Sequence, residues 1–337
     1  LNSNTGVGDG LLKTNIQIQA NYKRTFGNHH VSGALVATRE IKYLTGIEAP
    51  RAFQGMVFRT TYNFKDKYFT EFNGSYQGSE NFDKGYRYGF FPTVGLGYTL
   101  SNERFMEGIN KSIGLNYLKI RGSIGTVGYA TGNISMVGYR TIPSRFLYLD
   151  AYSQGGGSFL LGNPTSPSGI TGYYHSQIGN PFATFETGLK RNIGIDANFF
   201  NNRVQIVADL FDETRRDILL SRGGATFEHY GEDMPIFNYG KNYNGGIEAE
   251  LKLSNRSGPF RYGLNFQFSH IKNKRLIMDE PINQKGNLRM AGSSIGQFFG
   301  YDVEPGFFQS QAEIDSWAKM EGFPFMPGDI RLKDLNG

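Results

Sequence analysis

The sequence contains no cysteine, no run of about 18 apolar residues and no long tract of one charge sign. Without cysteine it has no disulfide, no cysteine-ligated zinc site and no thiol nucleophile. The missing apolar run excludes a membrane-spanning helix. Basic residues alternate with acidic ones despite a net charge of +5. The clustered basic surface of a nucleic-acid-binding protein is therefore not expected, and no nucleic-acid partner is predicted.

Aromatic residues and glycine are abundant, whereas the overall hydrophobicity is modest. The 337 residues include 28 Phe, 20 Tyr and 45 Gly, but apolar residues make up only 39%. The mean hydropathy is −0.41. This combination is typical of β-strands that are apolar on one face only, as in barrels that cross a membrane.

Apolar and polar side chains alternate with a period of two, which indicates strands. Clear examples are residues 14–25, 56–64, 193–199, 246–253 and 260–269, and further strands are expected near 30–42, 67–78, 91–101, 116–127 and 203–220. Several of these segments reach the ~9–11 residues that a tilted strand needs to cross a bilayer. The predicted fold is all-β: part of an antiparallel transmembrane β-barrel, with about ten strands.

The connections between these strands alternate between tight and long. Tight turns are predicted at 26–28, 65–66, 201–202 and 255–258, and long connections at 43–53, 79–90, 129–184, 221–242 and 274–293. Residues 102–115 are intermediate, with a helical pattern at 103–107. Short turns at one rim and long loops at the other are typical of outer-membrane barrels.

Several segments, in order, resemble motifs of one family. Residues 58–68 resemble the Y-x-Y-K-D-K-Y hairpin of SusC/RagA-type TonB-dependent outer-membrane transporters. Similar matches follow at 88–98 (W-G-Y-F-P-S-V-S-L-G-W), 118–128, 192–204 (N-x-G-x-D…F-x-N-R), 243–248 (N-x-G-x-E) and 327–337 (P-G-D-I-K-Y-x-D-x-N-G). The sequence departs from the family at Gly246, where the family has lysine, and at Gly89-Phe90, where it has an aromatic pair.

The resemblance implies a plugged barrel of about 22 strands in the bacterial outer membrane, surrounded by outer-membrane lipid. It also implies active import of oligosaccharide or peptide, powered through TonB, as the channel subunit of a SusCD-like complex with a SusD-like surface lipoprotein. We expect residues 1–337 to be a fragment of the barrel domain, with the plug, the TonB box and the N-terminal extension upstream of Leu1.

Catalytic chemistry is not predicted. The five histidines lack neighbours at metal-ligand spacing, and no G-x-S-x-G elbow, P-loop or dinucleotide fingerprint occurs. No cofactor is expected, with calcium as the one candidate. Asp334 and Asn336 could open a calcium loop of the D-x-[DN]-x-[DN]-G type, but only two of its ligand positions are present, and an Asx turn is the simpler explanation.

The long connection at 129–184 is the predicted recognition element, because it interleaves aromatic residues with Gly, Ser and Asn. The candidate substrate contacts are Phe146, Tyr148, Tyr152, Phe159, Tyr173 and Tyr174. Aromatic rings stack on sugars, and small polar side chains bind hydroxyls or amides. Alternatively, the rings pack the loop on itself or form an interfacial girdle. Residues 310–317 carry a capping-box pattern that predicts a short helix.

Two other functional classes remain open at this stage. A passive porin would share the strand pattern but would lack a plug and an energy source. A soluble all-β surface binding module would have to bury its aromatic faces inside a sandwich.

Overall fold

The structure is a computed structural model, and it describes residues 11–44, 51–130, 133–135, 141–143, 146–162, 168–222, 231, 234–255, 259–317 and 324–333. The chain divides into two compact units, Leu1–Ile295 and Gly296–Gly337. That residues 1–337 all belong to one barrel domain, without the plug and the N-terminal extension, stays a prediction. No helix among the described residues is both long enough and apolar enough to span a membrane.

The first unit is built from long strands. Their bounds are β1 Leu11–Phe26, β2 His29–Leu44, β3 Arg51–Phe64, β4 Tyr68–Ser79, β5 Tyr88–Thr99, β6 Leu115–Tyr129, β7 Asn133–Ser135, β8 Thr141–Pro143, β9 Ala151–Leu161, β10 Ser168–Gln177, β11 Glu186–Phe199, β12 Val204–Ser221, β13 Ile236–Asn255 and β14 Tyr262–Ile277. Helix α1, Glu107–Ile113, lies between β5 and β6. The second unit contains β15 Val303–Phe307, helix α2 Gln311–Ser316 and β16 Ile330–Leu332.

Ten of these strands form one sheet in the order β1-β2-β3-β4-β5-β6-β11-β12-β13-β14. Its neighbouring strands all pair antiparallel. They run from 12 residues in β4 to 20 in β13, well beyond the ~5–6 residues of an average soluble strand. The predicted partial antiparallel barrel with about ten strands is confirmed.

The register gives the sheet two chemically different faces. One face, termed the outer face, carries the apolar side chains: Ile18, Met56, Phe58, Phe72, Phe90, Leu96, Ile120, Ile193, Leu210, Ile247, Phe266 and Phe268. Ile18 is 70% exposed and Ile193 is 65% exposed. An apolar surface of this extent is not stable in water, so the outer face requires hydrocarbon around it.

Aromatic rings cluster on the outer face near both ends of the strands. Towards the tight turns, the rings of Tyr68 and Tyr98 stack at 5.1 Å. Towards the long connections, those of Tyr76 and Tyr88 stack at 5.4 Å. Tyrosines at both edges of an apolar band are the girdles that mark the two membrane interfaces of a barrel.

The tight turns lie at one end of the sheet, as predicted, but one of them is wider than expected. The pattern predicted a two-residue turn at Asn201-Asn202, whereas β11 ends at Phe199 and β12 begins at Val204. Phe200, Asn201 and Asn202 all have positive φ. The Phe200 amide donates to the Gly114 carbonyl at 2.7 Å, and the Asn201 amide donates to the Asn116 side chain at 2.6 Å. Contacts with the neighbouring connection therefore stabilise the wider turn.

The helical pattern of residues 103–107 is also displaced along the chain. A 3-10 turn covers Arg104–Met106 and α1 follows it, ending at Gly114 in the left-handed conformation. Glu103, just before the turn, accepts hydrogen bonds from Lys67 Nζ at 3.0 Å and from Tyr68 Oη at 3.1 Å. The Lys67 ammonium lowers the pKa of Glu103 below its ordinary value. This end of the sheet is thus held by charge as well as by turns.

The second unit contains the short helix that the capping pattern predicted. Ser310 accepts a hydrogen bond from the Glu313 amide, and the Glu313 carboxylate accepts one from the Gln309 amide. The hydrogen bond from the Gln309 backbone amide lowers the pKa of Glu313 below its ordinary value, and the Arg331 side chain lowers it further. Phe308, which is 1% exposed, packs edge-on against Trp317 at 5.6 Å.

Glycine at position 246 is explained by the pairing of β13 with β14. A Cβ at this position would lie 2.3 Å from the carbonyl oxygen of His270. We expect Gly246→Ala to displace one of the two strands and to lower stability by roughly 1–3 kcal/mol. The measurement is the thermal midpoint of the heat-modifiable band of the full-length receptor in micelles. Gly33→Ala is the control, since its Cβ would come no closer than 3.8 Å to any other atom; an equal loss there would contradict the explanation.

Candidate binding surface at the loop rim

The second face of the sheet, termed the lumen face, is polar and carries ion pairs between strands. Arg121 of β6 reaches Asp196 of β11 at 3.2 Å and Asp209 of β12 at 2.7 Å. Arg59 of β3 pairs with Glu71 of β4 at 2.8 Å. Charged side chains on a barrel strand cost ~2–4 kcal/mol each at the lipid midplane, so this face must contact water or protein.

The lumen face is concave. Side chains from β1 to β6 and from β11 line one space of about 750 Å³, which includes Lys23, Glu71, Lys119, Arg121 and Asn192. Most of its lining groups are polar and donate or accept hydrogen bonds. A hydrated conduit or the surface of a plugging segment fits this chemistry, and a lipid-filled space does not.

At the end of the sheet opposite the tight turns, distant connections share one hydrophobic cluster. This end is termed the loop rim and comprises residues 80–87, 146–162 and 168–185 with the adjoining ends of β5, β11, β12 and β13. The cluster consists of Phe82, Phe91, Leu147, Ala183, Phe185, Leu219 and Ile236. Burial of each large side chain contributes about 1.5–3 kcal/mol. The cluster therefore fixes the base of the loop rim to the sheet.

A buried asparagine supplements this cluster with hydrogen bonds. Asn180 is 4% exposed. Its backbone N–H donates to the Leu147 carbonyl at 2.6 Å, and its side-chain Nδ2 donates to the Ile236 carbonyl at 2.8 Å. Asn238 of β13 similarly accepts from the Thr184 amide at 2.9 Å and donates to the Thr184 carbonyl at 2.9 Å. These bonds satisfy backbone groups that the hydrophobic cluster removes from water.

One carboxylate of the loop rim is buried beside a partly exposed arginine. The Glu186 side chain is 3% exposed and receives a hydrogen bond from Arg215 Nε at 2.7 Å. It also accepts from the Leu219 amide at 3.2 Å. The Arg215 guanidinium lies over the Tyr129 ring at 4.1 Å from its centroid. The pair thus connects the start of β11 with the end of β12.

The connection at 129–184 contains paired strands, so the prediction of a long loop is wrong in part. Strands β9 and β10 form an antiparallel hairpin, and β7 pairs with β8. In β9–β10 the residues Tyr152 and His175 lie opposite each other, as do Gln154 and Tyr173. These four side chains lie on one side of the hairpin, termed the hairpin face, while Tyr174 lies opposite Ser153 on the other side.

The hairpin face presents aromatic surface to solvent. The rings of Tyr152 and His175 stack at 4.6 Å with an angle of 6° between their planes. His175 Nε2 lies 3.6 Å from Asp150 Oδ1. Tyr152 is 68% exposed and Tyr173 is 74% exposed. Planar rings with adjacent polar groups suit a sugar ring or a peptide plane.

The six candidate aromatic residues are not brought together at one place. Tyr152 and Tyr173 share the hairpin face, Tyr174 lies behind it, and Phe159 pairs with Ile170 further along the hairpin. Phe146 and Tyr148 flank the buried Leu147, and their rings meet edge-on at 6.2 Å. Phe146 and Tyr148 thus lie at the base of the loop, and a role of the six residues in substrate contact stays a prediction.

Two exposed aromatics of the loop rim were not among the candidates. Tyr86 precedes β5, and Phe182 follows the hairpin; their rings meet edge-on at 5.9 Å. Phe182 is 67% exposed. Tyr86 could have been chosen from the sequence, because residues 79–90 were predicted to be a long connection on the same rim as residues 129–184.

The calcium candidates Asp334 and Asn336 lie outside the described residues. Among the residues that are described, no three His, Cys, Asp or Glu side chains lie close enough together to hold a metal ion. Calcium binding stays a prediction.

Long strands with an apolar outer face and a charged lumen face define the chain as part of an outer-membrane β-barrel. Within this class, it is 26% identical over 332 residues to TonB-dependent receptor P3 of Formosa agariphila, covering 93% of the chain and 30% of that receptor. It is 28% identical over 197 residues to the TonB-dependent receptor SusC of Bacteroides thetaiotaomicron, covering 57% of the chain and 18% of SusC. No family model matches the chain.

A solved structure shares the fold. The RagAB peptide transporter superposes with a TM-score of 0.65 and 17% identity, over 89% of this chain and 34% of that one. The chain thus spans about a third or less of these relatives. The resemblance to SusC/RagA-type TonB-dependent transporters is confirmed.

The buried carboxylate Glu186 of the loop rim and the exposed ion pair Arg59–Glu71 of the lumen face predict different mutational effects. Arg215→Met leaves the Glu186 carboxylate buried beside an apolar group, and we expect a loss of roughly 3–5 kcal/mol. The measurement is hydrogen exchange over residues 178–186 and 215–221 in the full-length receptor. Arg59→Met is the matched control, because its side chain is 59% exposed and its partner Glu71 is 35% exposed; it should cost at most about 1 kcal/mol. If the amide hydrogens of these segments were equally protected in both variants, Arg215 would not be what stabilises the buried Glu186 carboxylate.

Proposed function

We propose that the chain forms part of the barrel of a TonB-dependent importer in the bacterial outer membrane. In this proposal it is the channel subunit of a SusCD-like complex, takes up oligosaccharide or peptide, and works with a SusD-like surface lipoprotein. The observation that carries the proposal is the joint arrangement of a lipid-compatible outer face, a polar lumen face and an anchored aromatic hairpin at the loop rim.

The relatives support both the energy source and the partner. Those with detectable sequence identity are named TonB-dependent receptors. One structural neighbour is the RagAB peptide transporter. The exposed outer face argues against a soluble binding module, because such a module would bury its apolar rows in its own core.

The loop rim suits a substrate that arrives from outside the cell. The hydrophobic cluster and the bonds of Asn180 hold the base of the hairpin, so Tyr152 and Tyr173 are displayed from a fixed support. Such preorganised rings bind without first being ordered, which reduces the entropic cost of binding. Gln154, which lies opposite Tyr173, supplies an amide for a hydroxyl or a peptide group.

Active transport predicts uptake that depends on an energised inner membrane. In cells that produce the full-length receptor and its lipoprotein, accumulation of labelled oligosaccharides or oligopeptides should stop when TonB is deleted or the proton-motive force is collapsed. Comparison of the two substrate pools identifies the class that is carried. Undiminished uptake without TonB would contradict the proposal and would indicate a passive porin.

Recognition by the hairpin face predicts a side-specific mutational effect. Tyr152→Ala combined with Tyr173→Ala removes both exposed rings, and we expect substrate binding to the full-length receptor to weaken roughly tenfold. Isothermal titration in detergent measures this. Tyr174→Ala, on the opposite side of the same hairpin, should leave the affinity nearly unchanged. If Tyr174→Ala weakened binding as much as the double variant, the hairpin face would not be the binding surface.

A further inference from the structure

A groove crosses the outer face on β11 to β14, about halfway along β12 and β13. It encloses about 670 Å³, and its lower lining includes Ile193, Leu210 and Ile247. Its lining includes Gly245, which lacks a side chain, and the hydroxyl of Tyr243 lies 2.5 Å from where a Cβ of Gly245 would be. The groove is therefore an indentation in the lipid-facing surface, deep enough for part of an acyl chain.

Basic side chains border this groove at its end towards the loop rim. The outward positions of β14 change abruptly from Leu264, Phe266 and Phe268 to His270, Lys272 and Lys274. Lys272 lies opposite Gly245, and Lys274 lies opposite Tyr243. Among the described residues, neither lysine forms an ion pair. Two ammonium groups and a tyrosine hydroxyl thus lie where the apolar band ends.

The remaining charges around the groove nearly balance each other. Arg191 of β11 pairs with Asp212 of β12 at 2.9 Å, and both line the groove. The excess positive charge therefore comes from Lys272 and Lys274. Near the loop ends of β3, β4 and β5 the outward positions carry Gln54, Tyr76 and Tyr88, and the adjoining outward position of β2 carries a single base, Arg39. Two successive outward lysines therefore distinguish β14 from these strands.

We infer that this groove binds a phosphorylated glycolipid of the outer leaflet, with its phosphate between Lys272 and Lys274 and an acyl chain along Ile193, Leu210 and Ile247. The inference rests on the outer-membrane placement in the proposed function. Anionic headgroups are attracted to lysines at a bilayer surface by about 1 kcal/mol per residue. The groove adds shape selection, because a chain that lies in it covers apolar surface next to the charge.

The experiment uses the full-length receptor in phosphatidylcholine nanodiscs, with lipid A as the probe and native mass spectrometry as the readout. The double variant Lys272→Gln and Lys274→Gln should bind lipid A roughly ten- to thirtyfold more weakly. Lys23→Gln with Lys119→Gln removes two charges from the lumen face and should bind it like the wild type. Dephosphorylated lipid A should bind the wild type as weakly as lipid A binds the outer double variant.

Equal binding of lipid A to both double variants, or of both lipid forms to the wild type, would overturn the inference. Heat-modifiable migration of each variant verifies that its barrel is folded, and Lys272→Arg with Lys274→Arg should restore binding. TonB-dependent uptake is measured on the same proteins. Lipid binding to the wild type that does not depend on the phosphate, together with intact uptake, contradicts only the lipid site, whereas phosphate-dependent lipid binding without TonB-dependent uptake contradicts only the proposed function.

Discussion

The separation of apolar and charged side chains onto two faces is the constraint on which the rest of the structure depends. Hydrocarbon cannot hydrogen-bond to a strand, so every backbone group within it must pair with a neighbouring strand, and charges at the level of the apolar band must point inward. A slip of one residue in β13 would turn Glu248 and Glu250 towards lipid. On the lumen face, charges of the same sign must in turn be compensated. Asp209 lies opposite Glu248, and Arg121 of β6 forms an ion pair with Asp209.

A sheet with lipid on one face and polar surroundings on the other has no dry interior of its own. The hydrophobic cluster of the loop rim therefore provides what the sheet does not, a buried apolar core that connects long loops. Its members come from either side of the hairpin, so the base of β9–β10 is held at both strands. Rigid support allows Tyr152 and Tyr173 to remain exposed without collapsing onto the loop. Exposure without a packing role is the physical reason to regard these rings as a binding surface.

The sequence predicted the ten-stranded sheet because its signal is local: each strand alternates apolar and polar side chains over a dozen or more residues. The same pattern did not predict the β9–β10 hairpin. Gly155 to Gly157 carry no side chains that could continue the alternation in β9, and register shifts interrupt the pairing of β9 with β10. The division of the six aromatics could not be predicted either. Leu147 is buried by Phe82 and Ile236, which are remote in sequence, and only that contact shows why its neighbours Phe146 and Tyr148 belong to the base.

The three surfaces of this chain can change independently, because the outer face and the lumen face use alternate positions of the same strands and the hairpin face uses other strands. Outward residues such as Lys272 contact only what surrounds the barrel, and inward residues such as Arg121 contact only what fills it. The hairpin face lies outside both patterns, since β9 and β10 leave the main sheet between β6 and β11. Substitutions at Tyr152 or Tyr173 therefore alter neither the register nor the lumen ion pairs. A barrel organised in this way can acquire a new substrate while its membrane-embedded strands stay the same.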